Sequence, residues 1–234
     1  MNELINITIA LLILFLISII INFLYKKINK LNYNFYDYKF VYPHLEILKI
    51  NRNLLMKDLK NIKNIKWENY PEKDLYNIEE KKDWKIFPFK GFDIILEKNC
   101  KLCPNICDVL KKIPNLSTAS ISKLTPGTKL KPHNGFGETS NENLRCHYVL
   151  ESNDNSFLQV NNERKILKDN DIIVFDDSKL HYAENNGNSD RIVLLLDILR
   201  PYYVVKGEGE SKGEEMNLVV KEYISKYKKN LLKK

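Results

Sequence analysis

The hydrophobic pattern changes character along the chain. From Leu4 to Tyr25, "LINITIALLILFLISIIINFLY" runs without a charge for 22 residues. At ~1.5 Å per residue that suffices to span a bilayer core of ~30 Å. A polar and aromatic linker follows over 26–40. Apolar residues then return at helical spacing. Leu45, Leu48, Leu55, Leu59 and Ile62 in "PHLEILKINRNLLMKDLKNIKNI" predict an amphipathic helix. The stretch holding Trp67, Pro71, Trp84 and Pro88 reads as loop-rich. "FDIILEK" is a strand candidate, and "CPNICDVLKKIPN" a short helix ended by Pro114. From Ser117 onward the period falls to two. "STASISKL", "LRCHYVLE", "SFLQVN", "DIIVFDD" and "RIVLLLDIL" are short runs separated by turn residues. That rhythm predicts an all-β sandwich or barrel. A basic amphipathic helix closes the chain over 206–234.

A chain of 234 residues allows one sizeable domain, placed at 41–205. The segment 4–25 is expected to be a retained transmembrane anchor. A cleaved signal peptide would start basic, carry a shorter apolar run and end in small residues. Here the start carries Glu3. Lys26, Lys27 and Lys30 follow the span and no Lys or Arg precedes it, so the positive-inside rule puts the domain in the cytosol. The protein is therefore expected to be a single-pass membrane protein.

The net charge of +7 is peculiar in kind. Only Arg52, Arg145, Arg164, Arg191 and Arg200 among the 37 basic residues are arginines. The lysines are scattered, with no RNA-binding motif beside them, so no nucleic acid partner is expected. Against that background each arginine suggests a need for a rigid two-pronged donor. Four cysteines occur, and "CKLCPNIC" could hold a metal or form a disulfide. It lacks a second pair downstream, so Cys100, Cys103 and Cys107 read as thiols at a strand-to-helix junction.

The polar residues in and beside the strands carry the chemistry. His133 follows "LTPGTKLKP", His181 lies just past the apolar "IIVFDD", and Arg191 opens the next strand ten residues later. Strands distant in sequence become neighbours in a barrel. Two histidines could then share a metal, and an arginine beside them could hold a carboxylate two-pronged. Taken singly, each has a plainer reading as a hydrogen-bonded or solvated residue. Many non-haem iron sites carry a carboxylate two residues after the first histidine. Here that position is Gly135.

"SKLTPGTKLKPHNG", "LRCHYVL", "IIVFDDSKLHYAEN" and "RIVLLLDILRP" resemble, in order and nearly in spacing, the blocks of the aspartyl/asparaginyl β-hydroxylase family. "HLEILKINRNLLMKDL" resembles its leading helix. The resemblance implies a mainly β fold with flanking helices: a double-stranded β-helix, or cupin-like jelly roll, behind the N-terminal transmembrane helix. It implies an Fe(II)- and 2-oxoglutarate-dependent dioxygenase that uses O2. His133 and His181 match the metal ligands, and glycine at the carboxylate position is the family's own pattern. Arg191 matches the partner of the distal carboxylate of 2-oxoglutarate, assisted by Ser122. Arg145 and His147 match a pair lining the cosubstrate pocket. Asp176 and Asp177 are placed in a supporting layer or a turn, and not as ligands.

The segment "FGETSNENL" is about three residues longer than the usual loop at the substrate mouth. The substrate is expected to be an Asp or Asn β-carbon in a protein, or a lipid acyl chain. The rival readings are a catalytically inactive membrane-tethered binding module of the same fold, and a basic adaptor acting through the C-terminal helix.

Overall fold

The computed structural model describes residues 2–28, 30–76, 82–91, 94–135, 137–210, 222 and 225. The chain divides into two units, 1–32 with 201–205, and 33–200 with 206–234. In the first unit, helix α1 runs Asn2–Ile28. Its described side chains, over 7–21, are exposed all round. Leu31 bridges Val204 in parallel fashion. Among the described residues no helix is long and apolar enough to cross a membrane. The structure itself therefore does not establish the anchor expected over 4–25.

The second unit holds β1 (Phe35–Tyr36), α2 (Tyr38–Val41), a 3-10 turn, α3 (Glu46–Ile50), α4 (Arg52–Ile62), β2 (Glu68–Asn69) and β3 (Trp84–Gly91). Then come β4 (Ile94–Ile95), α5 (Glu97–Leu102), α6 (Pro104–Leu110), β5 (Leu116–Leu124), α7 (Gly137–Glu142) and β6 (Asn143–Glu151). The chain continues through β7 (Ser156–Val160), β8 (Glu163–Ile166), β9 (Ile172–Phe175), β10 (His181–Asn185) and β11 (Arg191–Leu199). One sheet has the order β1-β9-β6-β11-β5-β3-β2, with β4 on β3, and the other the order β10-β7-β8. Every pairing is antiparallel. The segment before α7 extends the small sheet through bridges Lys129↔Glu184 and His133↔His181.

Period-two alternation builds the core between the sheets. Trp84, Ile86, Leu124, Val149, Phe175, Val193 and Leu195 from the large sheet meet Leu158, Val160 and Ala183 from the small one. The intervening residues Ile121, Tyr148, Leu194 and Leu196 are buried as well, so the large sheet is covered on both faces. The mainly β fold with flanking helices is thus as expected.

The predicted helix over 43–65 is broken at Asn51, whose side chain donates to the Ile47 carbonyl and so competes with the helical ladder. Its five apolar positions are all fully buried. Three expectations need correction. Trp84 opens strand β3 instead of lying in a loop, and Pro88 is accommodated by a register shift between Pro88 and Lys90. Among the described residues of "FDIILEK" the strand covers Ile94–Ile95, and α5 begins at Glu97. Cys100 and Cys107 form a disulfide with Cα atoms 5.5 Å apart, because the helical path is interrupted at Cys103 between α5 and α6. Cys103 and Cys146 are free and buried. The expected C-terminal helix lies almost wholly outside the described residues.

Candidate active site

Alternation along five strands points one set of side chains into a single pocket. Arg145 and His147 come from β6, Arg191 and Leu195 from β11, Ser122 from β5, Trp84 from β3 and Phe175 from β9. Leu130, His133, Leu158, His181 and Ala183 line the facing wall. All six polar residues singled out in the sequence, Ser122, His133, Arg145, His147, His181 and Arg191, therefore meet in one place.

His133 and His181 face each other across an antiparallel bridge. Each backbone N–H donates to the other's carbonyl, at 2.9 and 2.8 Å. Their ring centroids are 4.4 Å apart. His133 Nδ1 lies 2.7 Å from the Lys131 carbonyl oxygen, and His181 Nδ1 lies 2.9 Å from that of Lys179. A carbonyl only accepts, so the proton of each neutral ring is on Nδ1 and the lone pair is on Nε2. That is the tautomer in which imidazole binds a metal through Nε2, its orientation fixed by the Nδ1 bond. Among the described residues no three His, Cys, Asp or Glu side chains form a metal-holding group; two imidazoles converge instead.

At the other end of the pocket Arg191 is buried, and burial pulls its pKa down to about 10. Its Nη2 donates to His147 Nδ1 at 3.1 Å, so the His147 proton is on Nε2. Burial, then the charges of Arg191, Arg145 and His181, hold the His147 pKa well below its usual range. Arg191 Nε has no hydrogen-bond partner, and no acidic side chain pairs with Arg191 among the described residues. Nearby, the Trp84 indole Nε1 donates to Ser122 Oγ at 2.9 Å.

Arg145 behaves differently. It lines the pocket, but its Nε and Nη2 donate to Asp197 at 2.7 and 3.1 Å. Its Nη1 lies 2.7 Å from Asp177 Oδ1. Burial opposes the Arg145 charge, yet the two carboxylates more than offset it and leave its pKa above the ordinary value. The charge of Arg145 is thus neutralised within the protein, and that of Arg191 is not. Asp177 Oδ1 also lies 3.2 Å from His181 Nε2. It is off the hydrogen-bonding direction of its neighbours, so these contacts are electrostatic. Burial raises the Asp177 pKa to about 6, against the opposing pull of Arg145. Two acceptors this close, a carboxylate oxygen and a neutral Nε2, call for a shared proton or a cation.

Asp177 was placed in a supporting layer or a turn, whereas Asp197 and Trp84 were not picked out as residues of this site from the sequence. Asp197 left a trace there, as the lone acid at an inward position in "RIVLLLDIL".

The protein is thus a mainly β fold of two antiparallel sheets around a two-histidine centre and a buried, uncompensated arginine. The Aspartyl/Asparaginyl beta-hydroxylase family model matches residues 50–201, and the chain belongs to that family. It is 35% identical over 131 residues to an ornithine lipid ester-linked acyl 2-hydroxylase of Rhizobium tropici, covering 55% of this chain and 46% of that protein. It is 29% identical over 131 residues to the human aspartyl/asparaginyl beta-hydroxylase, covering 53% of this chain and 17% of that protein. The chain thus spans less than half the length of either relative. A prolyl hydroxylase of Trichoplax adhaerens, solved with a peptide fragment, overlays with a TM-score of 0.45 at 11% identity, covering 64% of this chain and 78% of that one.

Proposed function

We propose that the protein is an Fe(II)- and 2-oxoglutarate-dependent dioxygenase that hydroxylates an unactivated C–H bond. Arg191 carries this reading. A buried guanidinium without a counter-ion is costly, and the pocket makes sense if an anion enters it. A dicarboxylate matches these donors: one carboxylate would pair with Arg191 and the Ser122 hydroxyl, and its other end would turn toward the histidines of the same pocket. His147 Nε2–H supplies a second donor within the pocket.

His133 and His181 would hold the iron through Nε2, with Lys131 and Lys179 carbonyls fixing the rings. Bound there, iron supplies the oxygen activation that turns C–H into C–OH while the keto acid loses carbon dioxide. Gly135 offers no third side chain, and the Asp177 carboxylate occupies the space where one would begin. Phe175, Leu158, Ala183 and Leu195 wall the pocket with apolar surface and keep it dry.

For the substrate we favour a lipid acyl chain over Asp or Asn in a protein. The apolar N-terminal run over 4–25, carried on α1 and exposed on every described face, supports a single-pass anchor beside a bilayer. The lysines after Tyr25 support a cytosolic domain. The likeness to a lipid acyl hydroxylase points the same way.

The test is iron-dependent succinate formation from 2-oxoglutarate, with mass spectrometry of host lipids and proteins for a gain of one oxygen. His133→Ala and His181→Ala should each abolish metal binding and turnover. Normal activity in either variant would refute the metal assignment. No succinate with iron present would favour the inactive binding module.

A further inference from the structure

The structure assigns Tyr70 a positioning role, which rests on the dicarboxylate reading above. We infer that Tyr70, by stacking on Trp84, fixes the indole whose N–H makes Ser122 a hydrogen-bond donor toward the anion on Arg191.

The chain of contacts starts at Ser122, which is 1% exposed and lines the pocket. An indole N–H can only donate, so the 2.9 Å contact from Trp84 Nε1 uses Ser122 Oγ as an acceptor. The hydroxyl proton of Ser122 must go elsewhere, and no protein acceptor takes it among the described residues. Without Trp84 the hydroxyl could rotate and turn a lone pair toward the anion. With it, the donor faces into the pocket.

Trp84 is held in turn by Tyr70. Their rings are parallel, with centroids 3.5 Å apart and planes at 6°. The Tyr70 N–H donates to the Trp84 carbonyl at 2.8 Å, and the Tyr76 hydroxyl donates to the Tyr70 carbonyl at 2.9 Å. Tyr76 also meets the indole edge-on, at 72°. The same indole lies 6.1 Å from the His133 ring. One ring therefore touches both ends of the pocket, and Tyr70 sets its plane. Burial keeps the Tyr70 phenol neutral, so the ring and not a charge is the active part.

Trp67 and Trp84 are the two tryptophans of the chain. A Trp67→Phe background leaves Trp84 emission as a direct report of binding. The probe is 2-oxoglutarate titrated under nitrogen in the presence of Fe(II). In that background Tyr70→Leu should raise the binding midpoint roughly three- to tenfold, the range aromatic pairing supplies. Turnover at saturating cosubstrate should change little. Tyr70→Phe should restore the parent midpoint. Ser122→Ala combined with Tyr70→Leu should bind no worse than Ser122→Ala alone, since both act on one hydroxyl. If Tyr70→Leu does not fold, Trp84→Phe followed by calorimetry asks the same question, and its effect should likewise vanish on Ser122→Ala. A parent-like midpoint in Tyr70→Leu, or additive losses in the double variant, overturns the positioning role alone. If the Trp67→Phe parent binds no 2-oxoglutarate, by emission or by calorimetry, the dicarboxylate reading fails and the role of Tyr70 falls with it.

Discussion

The carboxylate of Asp177 fills the space in which a side chain on Gly135 would begin. A Cβ at position 135 would lie 2.6 Å from Asp177 Cγ and 2.8 Å from Ser140 Cβ. The two residues are also tied through the backbone, with the Gly135 N–H donating to the Asp177 carbonyl at 2.8 Å. Glycine is thus required by crowding, and the carboxylate beside His181 arrives from a different strand end.

Gly135→Ala should therefore destabilise the protein by about 1–3 kcal/mol, the usual cost of overpacking. It should also weaken metal binding, because Asp177 and the adjoining loop must move away from His181. Gly135→Asp should do the same and should not speed hydroxylation, although it writes a two-histidine, one-carboxylate motif into the sequence. Thermal melts and Fe(II) titrations of both variants check this. Tighter metal binding together with faster turnover in Gly135→Asp would show that the crowding has been misjudged.

Much of this arrangement was legible in the sequence. The helical spacing of Leu45, Leu48, Leu55, Leu59 and Ile62 and the period-two runs after Ser117 mark buried faces directly. Ser122, His133, His181 and Arg191 stand out because each is polar within or beside such a run. What the sequence hid was long-range. The neutralisation of Arg145 by Asp177 and Asp197 depends on strand pairings that no local pattern encodes. Trp84 was obscured by Pro88, whose usual meaning is a break, while here it sits at a register shift. The Cys100–Cys107 bond depends on a helical interruption at Cys103 that composition does not reveal.

Arg191→Met should leave the ligand-free protein about as stable as the parent, or more so. Replacing a buried uncompensated charge with an apolar side chain of similar length removes a desolvation cost. The opposing term is the donor lost to His147 Nδ1, about 1 kcal/mol. The same variant should lose the stabilisation that 2-oxoglutarate confers on the parent. Arg191→Lys should bind the cosubstrate roughly 10- to 100-fold more weakly, since an ammonium cannot offer two parallel bonds. Melting curves with and without 2-oxoglutarate separate the two effects. Strong destabilisation of ligand-free Arg191→Met would mean that the guanidinium already has its counter-ion inside the protein.

His147 should give the metal-free protein a measurable acid sensitivity. Its pKa is held well below 6.5 in the folded state, chiefly by burial. Unfolded, it takes a proton as pH falls through ~6.5. The unfolded state then binds more protons, so stability falls on acidification, by at most about 1.4 kcal/mol per pH unit from this group. Asp177 acts oppositely. With a folded pKa raised to about 6, it takes up a proton before the unfolded chain does and stabilises between about pH 6 and 4. The parent profile is therefore flattened, and a difference measurement is needed. His147→Gln keeps an acceptor for Arg191 and removes the titration. Relative to the parent, its stability should rise as pH drops from 7.5 to 5 in urea melts. A difference that does not vary with pH would show that His147 is not held neutral.

If the segment 4–25 anchors the protein in a membrane, as proposed, the orientation of the domain can be read from two of its cysteines. The lysines after Tyr25 argue for the cytosol, where glutathione keeps thiols reduced. The Cys100–Cys107 bond closes a loop of eight residues. On chain-entropy grounds such a closure is worth about 2.5 kcal/mol, so the fold gains from the bond where oxidants allow it. Both conditions are met if the bond is absent in the cell and forms in air after lysis, because α5 and α6 already hold the two residues 5.5 Å apart at Cα. Acid quenching of intact cells followed by alkylation should then find Cys100 and Cys107 as thiols. The aerobically purified protein, denatured without reductant, should show two reactive thiols, Cys103 and Cys146, out of four cysteines. Reduction should lower the melting temperature of the purified protein, and Cys100→Ser with Cys107→Ser should abolish that shift. A disulfide trapped in intact cells would put the domain on the oxidising side of the membrane. That result reverses the orientation drawn from the lysines and leaves the chemistry of His133, His181 and Arg191 untouched.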